Sequence, residues 1–108
     1  MGQQALRIEG LPEGALDAAA AFHGEWLPRA RAMVDPPRDG EDLLLIFPPA
    51  LYHHRGWRLA AVQGLAREAA PARVNGVVGD DEAAIAETVE WLAGAPGITG
   101  QLLEVAKE

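Results

Sequence analysis

The chain contains no cysteine, which excludes disulfide bonds, thiolate metal sites and cysteine nucleophiles. It also lacks a long apolar run: none approaches the ~20 residues that a membrane-spanning helix needs, and the start has no signal-peptide pattern. Basic residues are few, with 9 Lys and Arg against 16 Asp and Glu and a formal net charge of -7. Such a surface repels a phosphate backbone. We therefore expect a cytoplasmic protein that binds neither nucleic acid nor membrane.

The first half of the chain predicts a short strand, a long helix and a buried strand. "QALRI" favours the first strand, and residues 15–34 favour a helix that Pro28 should kink or interrupt. The helix carries an apolar stripe: Phe22, Trp26, Ala30 and Met33. "LLLIF" has no polar alternation and lies between a loop and Pro48-Pro49. Such a run is typical of a central strand of a parallel sheet.

The second half continues the alternation of helices and strands. Residues 51–70 predict a helix that Pro71 ends, and "ARVNGVV" predicts the next strand. Asp80 or Asp81 can cap a third helix, and "QLLEV" predicts a last strand. The inner sides of the two helices are expected to carry Leu51, Leu59, Val62, Leu65 and Ala69, and then Ile85, Val89 and Leu92. Strands that alternate with helices require crossovers, so we expect an α/β domain with a mainly parallel sheet.

Four motifs in this half occur in an order and spacing that resemble a known family. They are Ala60-Ala61-Val62-Gln63-Gly64-Leu65, "ARVNGVVG" at residues 72–79, Glu90-Trp91-Leu92-Ala93, and "TGQLLEV" at residues 99–105. Together they resemble the C-terminal half of a short-chain dehydrogenase/reductase, and within that family the 3-oxoacyl-carrier-protein reductase branch. The likeness runs from about Leu43 to Val105. It implies that residues 1–108 form one truncated, partial Rossmann-like domain in two or three layers, with about four mainly parallel strands and three helices.

The resemblance also shows what stands at the family's catalytic positions. Arg55 takes the place of the tyrosine and Leu59 that of the lysine, while Pro48-Pro49 stand where the active-site serine belongs. The family's proton-relaying asparagine has no counterpart near residues 15–18. The reaction needs a tyrosine hydroxyl whose pKa a lysine lowers. Leucine has no charge, proline has no donor, and arginine stays protonated near neutral pH. We therefore expect no reductase activity.

Two further observations agree with that expectation. Tyr52 does not restore the family's pair in another register, because its fourth successor is Gly56. The sequence also has no glycine-rich dinucleotide motif, and the resemblance places its start near the family's fourth strand. We expect no nucleotide cofactor.

Other polar residues have ordinary structural interpretations. His53 and His54 are adjacent and would diverge by ~100° on a helix, which favours surface or loop histidines, as for His23, over metal ligands. The acidic residues 80–82 are expected at a helix start rather than at a cation site.

Four residues keep a functional alternative open. Arg55 and Arg58 could hold an anion at the family's substrate position, although a solvated helix face is the favoured interpretation. Gly64 is expected to be a close-packing glycine. Asn75 is expected to make hydrogen bonds at a strand end.

Association with another protein is the function that this pattern favours. In the family, the helices that correspond to residues 15–34 and 51–70 pack against their copies across a two-fold axis. An apolar area of the sheet should also remain exposed, so we expect a homodimer. The interface candidates are Phe22, Trp26, Met33 and Trp57. One alternative is a subunit that pairs with a full-length reductase. Another is an enzyme with new chemistry at Tyr52, His53, His54 or Arg55.

Overall fold

Residues 2–105 are described by a computed structural model, and their four strands form one parallel sheet. The spatial order is sequential, β1-β2-β3-β4. The strands are β1 (Gly2–Arg7), β2 (Glu41–Phe47), β3 (Val74–Val78) and β4 (Leu102–Glu104). Each pairs in parallel with the next, for example Leu43 with Val74. The predicted α/β class and the predicted strands are confirmed.

The first helical region is continuous but irregular. It consists of α1 (Ala15–Ala21), a π-helical segment (Phe22–Trp26) and α2 (Leu27–Met33). Pro28 lies in the first turn of α2. Because proline has no N–H and its ring clashes with the carbonyl four residues earlier, the wider π turns just before it relieve the conflict. The helix predicted over this region is confirmed, and its irregularity is a π-helical segment before Pro28 rather than a break at it.

The second helical region begins later than predicted. After Pro48-Pro49 the backbone is still extended at Leu51, which is 73% exposed rather than buried. A 3-10 turn (Tyr52–His54) then leads into α3 (Arg55–Ala69). The last helix is α4 (Glu82–Ala93). Asp81 occupies its N-cap position, but its side chain makes no capping hydrogen bond, so the cap is confirmed in position only.

Helices cover both faces of the sheet. Leu43, Leu45 and Phe47 of β2 pack in the cluster that includes residues of α2 and α3, whereas Leu44 and Ile46 pack with Ile85 and Leu92 of α4. The strand order continues in one direction while the last helix changes face. The third crossover therefore has the opposite hand to the first two.

The predicted bare apolar face is not found on the central strands. Leu44, Ile46 and Val77 are buried beneath α4. The central strands therefore do not support the prediction of an interface on the sheet. The surfaces of the helices are the remaining candidates for an interface. No helix within residues 2–105 has both the length and the apolar character that a membrane crossing requires.

Candidate functional site

The sheet offers one natural crevice, at the carboxyl ends of β2 and β3. The chain leaves β2 toward α3 on one face and leaves β3 toward α4 on the other. In open α/β sheets, ligands bind where such connections diverge. A cleft of about 250 Å³ lies at this point, between Ile8–Gly10, Ile46–Pro48 and Gly79–Glu82. We call this end of the sheet the carboxyl edge.

A larger cleft of about 550 Å³ adjoins it, and we call it the proline-walled cleft. It is lined by Gly10, Leu11, Pro12, Glu13, Pro48, Pro49, Ala50, Leu51, His54 and Arg58. Most of these side chains are apolar, and Arg58 is the one cation among them. The cleft therefore combines an apolar wall with one cation, Arg58, and one carboxylate, Glu13.

The positions that match the family's catalytic residues hold no proton-transfer pair. Arg55 Nη1 lies 3.7 Å from Glu104 Oε2 in a partly exposed ion pair, and Leu59 packs against the core. Tyr52 is on the 3-10 turn and is 88% exposed. The chain's one lysine, Lys107, lies outside the described residues. Within residues 2–105, no hydroxyl–ammonium pair forms beside Leu59.

The sequence interpretation is wrong for the Arg58 side chain. It is only 3% exposed, so it does not belong to a solvated helix face. Its Nη1 donates to Pro48 O at 2.8 Å, and its guanidinium carbon lies 4.8 Å from the centre of the Phe47 ring and 5.6 Å from that of Trp57. Its Nε–H is buried without a hydrogen-bond partner in the described part of the chain. Burial lowers the pKa of Arg58, and the Glu104 carboxylate opposes only part of that effect.

His54 fastens the start of α3 to the loop before α1. Its Nε2 lies 2.9 Å from Glu13 O, and Trp57 Nε1–H donates to its Nδ1 at 3.2 Å. Because a carbonyl only accepts and an indole N–H only donates, the ring is the neutral tautomer with its proton on Nε2. Both nitrogens are therefore occupied. The prediction of a surface or loop histidine is wrong for His54, which is buried, whereas His53 is exposed.

Metal-binding geometry is not found among the described residues. Within residues 2–105, no three His, Asp or Glu side chains come together as metal ligands. His23 Nδ1 instead bonds to Ala19 O in its own helix at 2.7 Å. Glu82, at the start of α4, accepts from Arg7 Nη2 at 3.1 Å.

The interface candidates divide between the core and the surface. Phe22 is 0% exposed and packs 5.9 Å from Phe47 and 5.4 Å from Trp57 between ring centres. Phe22 is thus a core residue and cannot contribute to an outer surface. Trp26, Met33 and Trp57 are half-buried and keep part of their area exposed.

Gly64 does not have the role that the sequence favoured. A Cβ added at this glycine would meet nothing within 4 Å. The predicted close packing is therefore wrong within one chain, and the surface beside Gly64 is open.

The opposite end of the sheet, which we call the amino edge, carries a dense polar network. Arg73 Nε and Nη2 donate to Asp42 Oδ2 at 3.1 and 2.6 Å, and the Arg73 backbone N–H donates to Asp42 Oδ1 at 3.1 Å. Arg73 Nη1 donates to the carbonyl oxygens of Leu92, Ala95 and Ile98. The side chain thus ties β2, β3 and the end of α4 together.

Asn75 extends this network as predicted. Its Nδ2 donates to Ile98 O, and its Oδ1 accepts from Gln101 N, each at 3.0 Å. Val74 N donates to Thr99 Oγ1 at 3.1 Å. The "RVN" and "TGQ" motifs therefore join β3 to the loop before β4, and their role is structural.

The fold and the retained motifs define a parallel α/β protein of the dehydrogenase type. A family model described as short chain dehydrogenase-like protein matches residues 6–105, which is most of the chain. The protein therefore belongs to this SDR-like family. The match does not distinguish the 3-oxoacyl-carrier-protein reductase branch, which stays a prediction. Comparison with curated proteins and with solved structures gives no match.

The described residues do not fit the dinucleotide that the family implies. The turn from β1 into the helical region contains Glu9, Pro12 and Glu13 and has no glycine-rich motif. Glu9, Asp80 and Glu82 line the crevice at the carboxyl edge together with one arginine, Arg7, which is paired with Glu82. Carboxylates at this place repel a pyrophosphate, whereas phosphate sites present backbone N–H groups and positive charge.

Proposed function

We propose that this protein is a non-catalytic member of the SDR-like family that acts by protein–protein association, as a homodimer. The observation that carries the first half of the proposal is the pair Arg55 and Leu59, at the tyrosine and lysine positions. Arg55 is engaged with Glu104, and Leu59 packs on the core. Neither side chain can exchange a proton with a substrate near neutral pH.

The association half is supported by a groove on the outer side of the helical layer. This helix groove has a volume of about 270 Å³ and lies between α1–α2 and α3. It is lined by His23, Leu27, Arg31, Trp57, Ala60, Ala61, Gly64, Leu65 and Glu68. Half-buried Leu27 and Trp57 offer apolar area, while Ala60 and Gly64 leave room for another backbone to approach. A second copy related by a two-fold axis can use the same groove in return.

Sedimentation velocity at micromolar concentration tests the homodimer. We expect the wild-type protein to sediment as a dimer and the Ala60→Arg variant as a monomer, because Ala60 is exposed in the groove and arginine would fill it. The matched control is Ala86→Arg on α4, which puts the same charge on an exposed helical alanine of the opposite face. It should leave the dimer intact. A wild-type protein that sediments only as a monomer overturns the homodimer.

Two measurements separate the remaining alternatives. Co-purification from the native host that recovers a full-length reductase with the chain would favour the regulatory or structural subunit. Saturable binding of NADH or NADPH, or nucleotide-dependent reduction of a carbonyl substrate, would contradict the non-catalytic proposal. New chemistry at Tyr52, His53, His54 or Arg55 has less support, because His54 uses both ring nitrogens and Tyr52 points away from the core.

A further inference from the structure

Among the described residues, the buried Arg58 and the partly buried Arg73 differ in their hydrogen bonding. Arg73 uses Nε and Nη2 to hold the Asp42 carboxylate and gives Nη1 to backbone carbonyls. Arg58 also gives Nη1 to a backbone carbonyl, that of Pro48, but its Nε–H has no partner within residues 2–105. Each of these two arginines therefore has Nη1 held by backbone carbonyl oxygens, and Arg73 also has a carboxylate on its other side.

The geometry of the guanidinium indicates which ligand the Nε–Nη2 side of Arg58 can bind. The N–H of Nε and one N–H of Nη2 point in the same direction and match the two oxygens of a carboxylate. Arg73 uses these same two nitrogens for Asp42. A buried N–H without a partner costs free energy, so a ligand that supplies an acceptor there gains affinity.

The surroundings of Arg58 select among anions. The proline-walled cleft presents apolar groups from Leu11, Pro48, Pro49 and Leu51. Glu13 also lines it, and Glu104 lies near Arg58 while pairing with Arg55. One cation among these carboxylates favours a singly charged ligand over a phosphate dianion. The apolar wall favours a ligand with a hydrocarbon body.

We propose that the proline-walled cleft binds a small organic monocarboxylate, with its carboxylate on the Arg58 guanidinium and its apolar body against Pro48, Pro49 and Leu51. The proline-walled cleft is separate from the helix groove: Ala60 and Gly64 line the groove, and neither lines the cleft. The proposal therefore goes beyond the association function and does not depend on the oligomeric state.

Titration of the ¹⁵N-labelled full chain with hexanoate tests the site, with neutral hexanamide as the matched probe. We expect hexanoate to shift the Arg58 Nε–H and Trp57 indole N–H resonances along saturating curves with a millimolar dissociation constant. Trp57 is a suitable reporter because its ring lies 5.6 Å from the Arg58 guanidinium carbon. Hexanamide, which lacks the charge, should give at least about tenfold weaker binding, in line with the strength of a charge-assisted pair.

Two arginine variants separate a specific site from general charge. Arg58→Lys keeps the charge but loses the paired donors, and it should weaken hexanoate binding by about tenfold. Arg55→Gln removes the neighbouring, partly exposed charge and should change affinity by less than about twofold. Thermal unfolding checks that each variant is folded.

The comparison of hexanoate with hexanamide on the wild-type chain decides the case even if a variant fails to fold. Equal shifts with the two probes, or no shift of the Arg58 Nε–H, overturn the proposal. A folded Arg58→Lys variant that binds hexanoate as tightly as the wild type overturns it as well. Loss of binding in Arg55→Gln would also contradict it, since the exposed charge would then be the anchor.

Discussion

The amino and carboxyl edges of the sheet are built in opposite ways. At the amino edge, Arg73 uses both sides of its guanidinium, on Asp42 and on backbone carbonyls. At the carboxyl edge, Arg58 makes one hydrogen bond within residues 2–105, and Arg55 Nη1 lies 3.7 Å from Glu104 Oε2. The first network joins strands and helix, so its residues hold the fold. The second joins little, so the chain can carry unusual residues there without unfolding.

This difference agrees with the place of two of the four family motifs. "RVN" and "TGQ" form the amino-edge network through Arg73, Asn75 and Thr99. Arg55 and Leu59, which the resemblance aligns with the family's catalytic pair, lie near the carboxyl edge. Residues that satisfy buried polar groups are costly to change, whereas residues kept for chemistry alone are not.

The largest expected effect is at the amino edge. Arg73→Met removes the guanidinium from the Asp42 carboxylate, which keeps the Arg73 backbone N–H, and from the carbonyl oxygens of Leu92, Ala95 and Ile98. Breaking a buried pair on one side costs about 3–5 kcal/mol of the free energy of unfolding. Urea denaturation measures it, with Arg67→Met on the exposed side of α3 as the control, expected within about 0.5 kcal/mol. A loss below about 1 kcal/mol at Arg73 would mean that this network does not hold the fold.

A smaller loss is expected in the middle of the sheet, between the two edges. A Cβ at Gly76 would lie 2.8 Å from Leu102 Cδ1 and 3.0 Å from Val62 Cγ2. Gly76→Ala should therefore cost about 1–3 kcal/mol through overpacking. Gly64→Ala, where a Cβ meets nothing, should instead raise the stability of the monomer by up to about 1 kcal/mol. The same sign for both changes would contradict the packing described for β3.

The matched change at the carboxyl edge should have little effect on stability. Arg58→Met replaces a buried cation that has one hydrogen bond by an apolar chain of similar length. The relief of desolvation offsets the lost contacts with Pro48, Phe47 and Trp57, so we expect a change within about 1 kcal/mol in urea denaturation. A loss comparable to that of Arg73→Met would remove the contrast between the edges.

The smallest expected change in stability is at an ion pair that lies at neither edge of the sheet. Arg31 Nε and Nη2 donate to Glu68 between α2 and α3, and these hydrogen bonds lower the pKa of the Glu68 carboxyl. A lowered folded-state pKa means stability that is present above the unfolded pKa and lost as pH falls through the folded one. Both side chains are exposed, so the effect should be slight.

Thermal unfolding against pH, in wild type and Glu68→Gln, measures this last effect. The melting temperature of the wild type should exceed that of the variant near neutral pH, and the difference should close in acid. A difference that grows as the pH falls would reverse the assigned sign.

Much of the fold followed from local patterns. The unbroken "LLLIF" run indicated the central strand, and the alternation of elements indicated a parallel sheet. The start of α3 was missed, because Pro48-Pro49 keep the chain extended through Leu51. The helical pattern of residues 51–70 also does not predict the burial of Arg58, because the contacts that bury it are with Phe47 and Pro48, outside the helix.

The sequence by itself determined the family and the order of the elements, because periodicity and motif spacing are properties of the chain. Only the tertiary structure decided which face α4 covers, that Phe22 lies in the core, and that His54 is held by Glu13 and Trp57. It also decided that Arg73 and Arg58, although the same type of residue, have different roles. Their partners lie 31 and 10 residues away. Burial and hydrogen bonding across such distances depend on how the elements pack, which no local pattern contains.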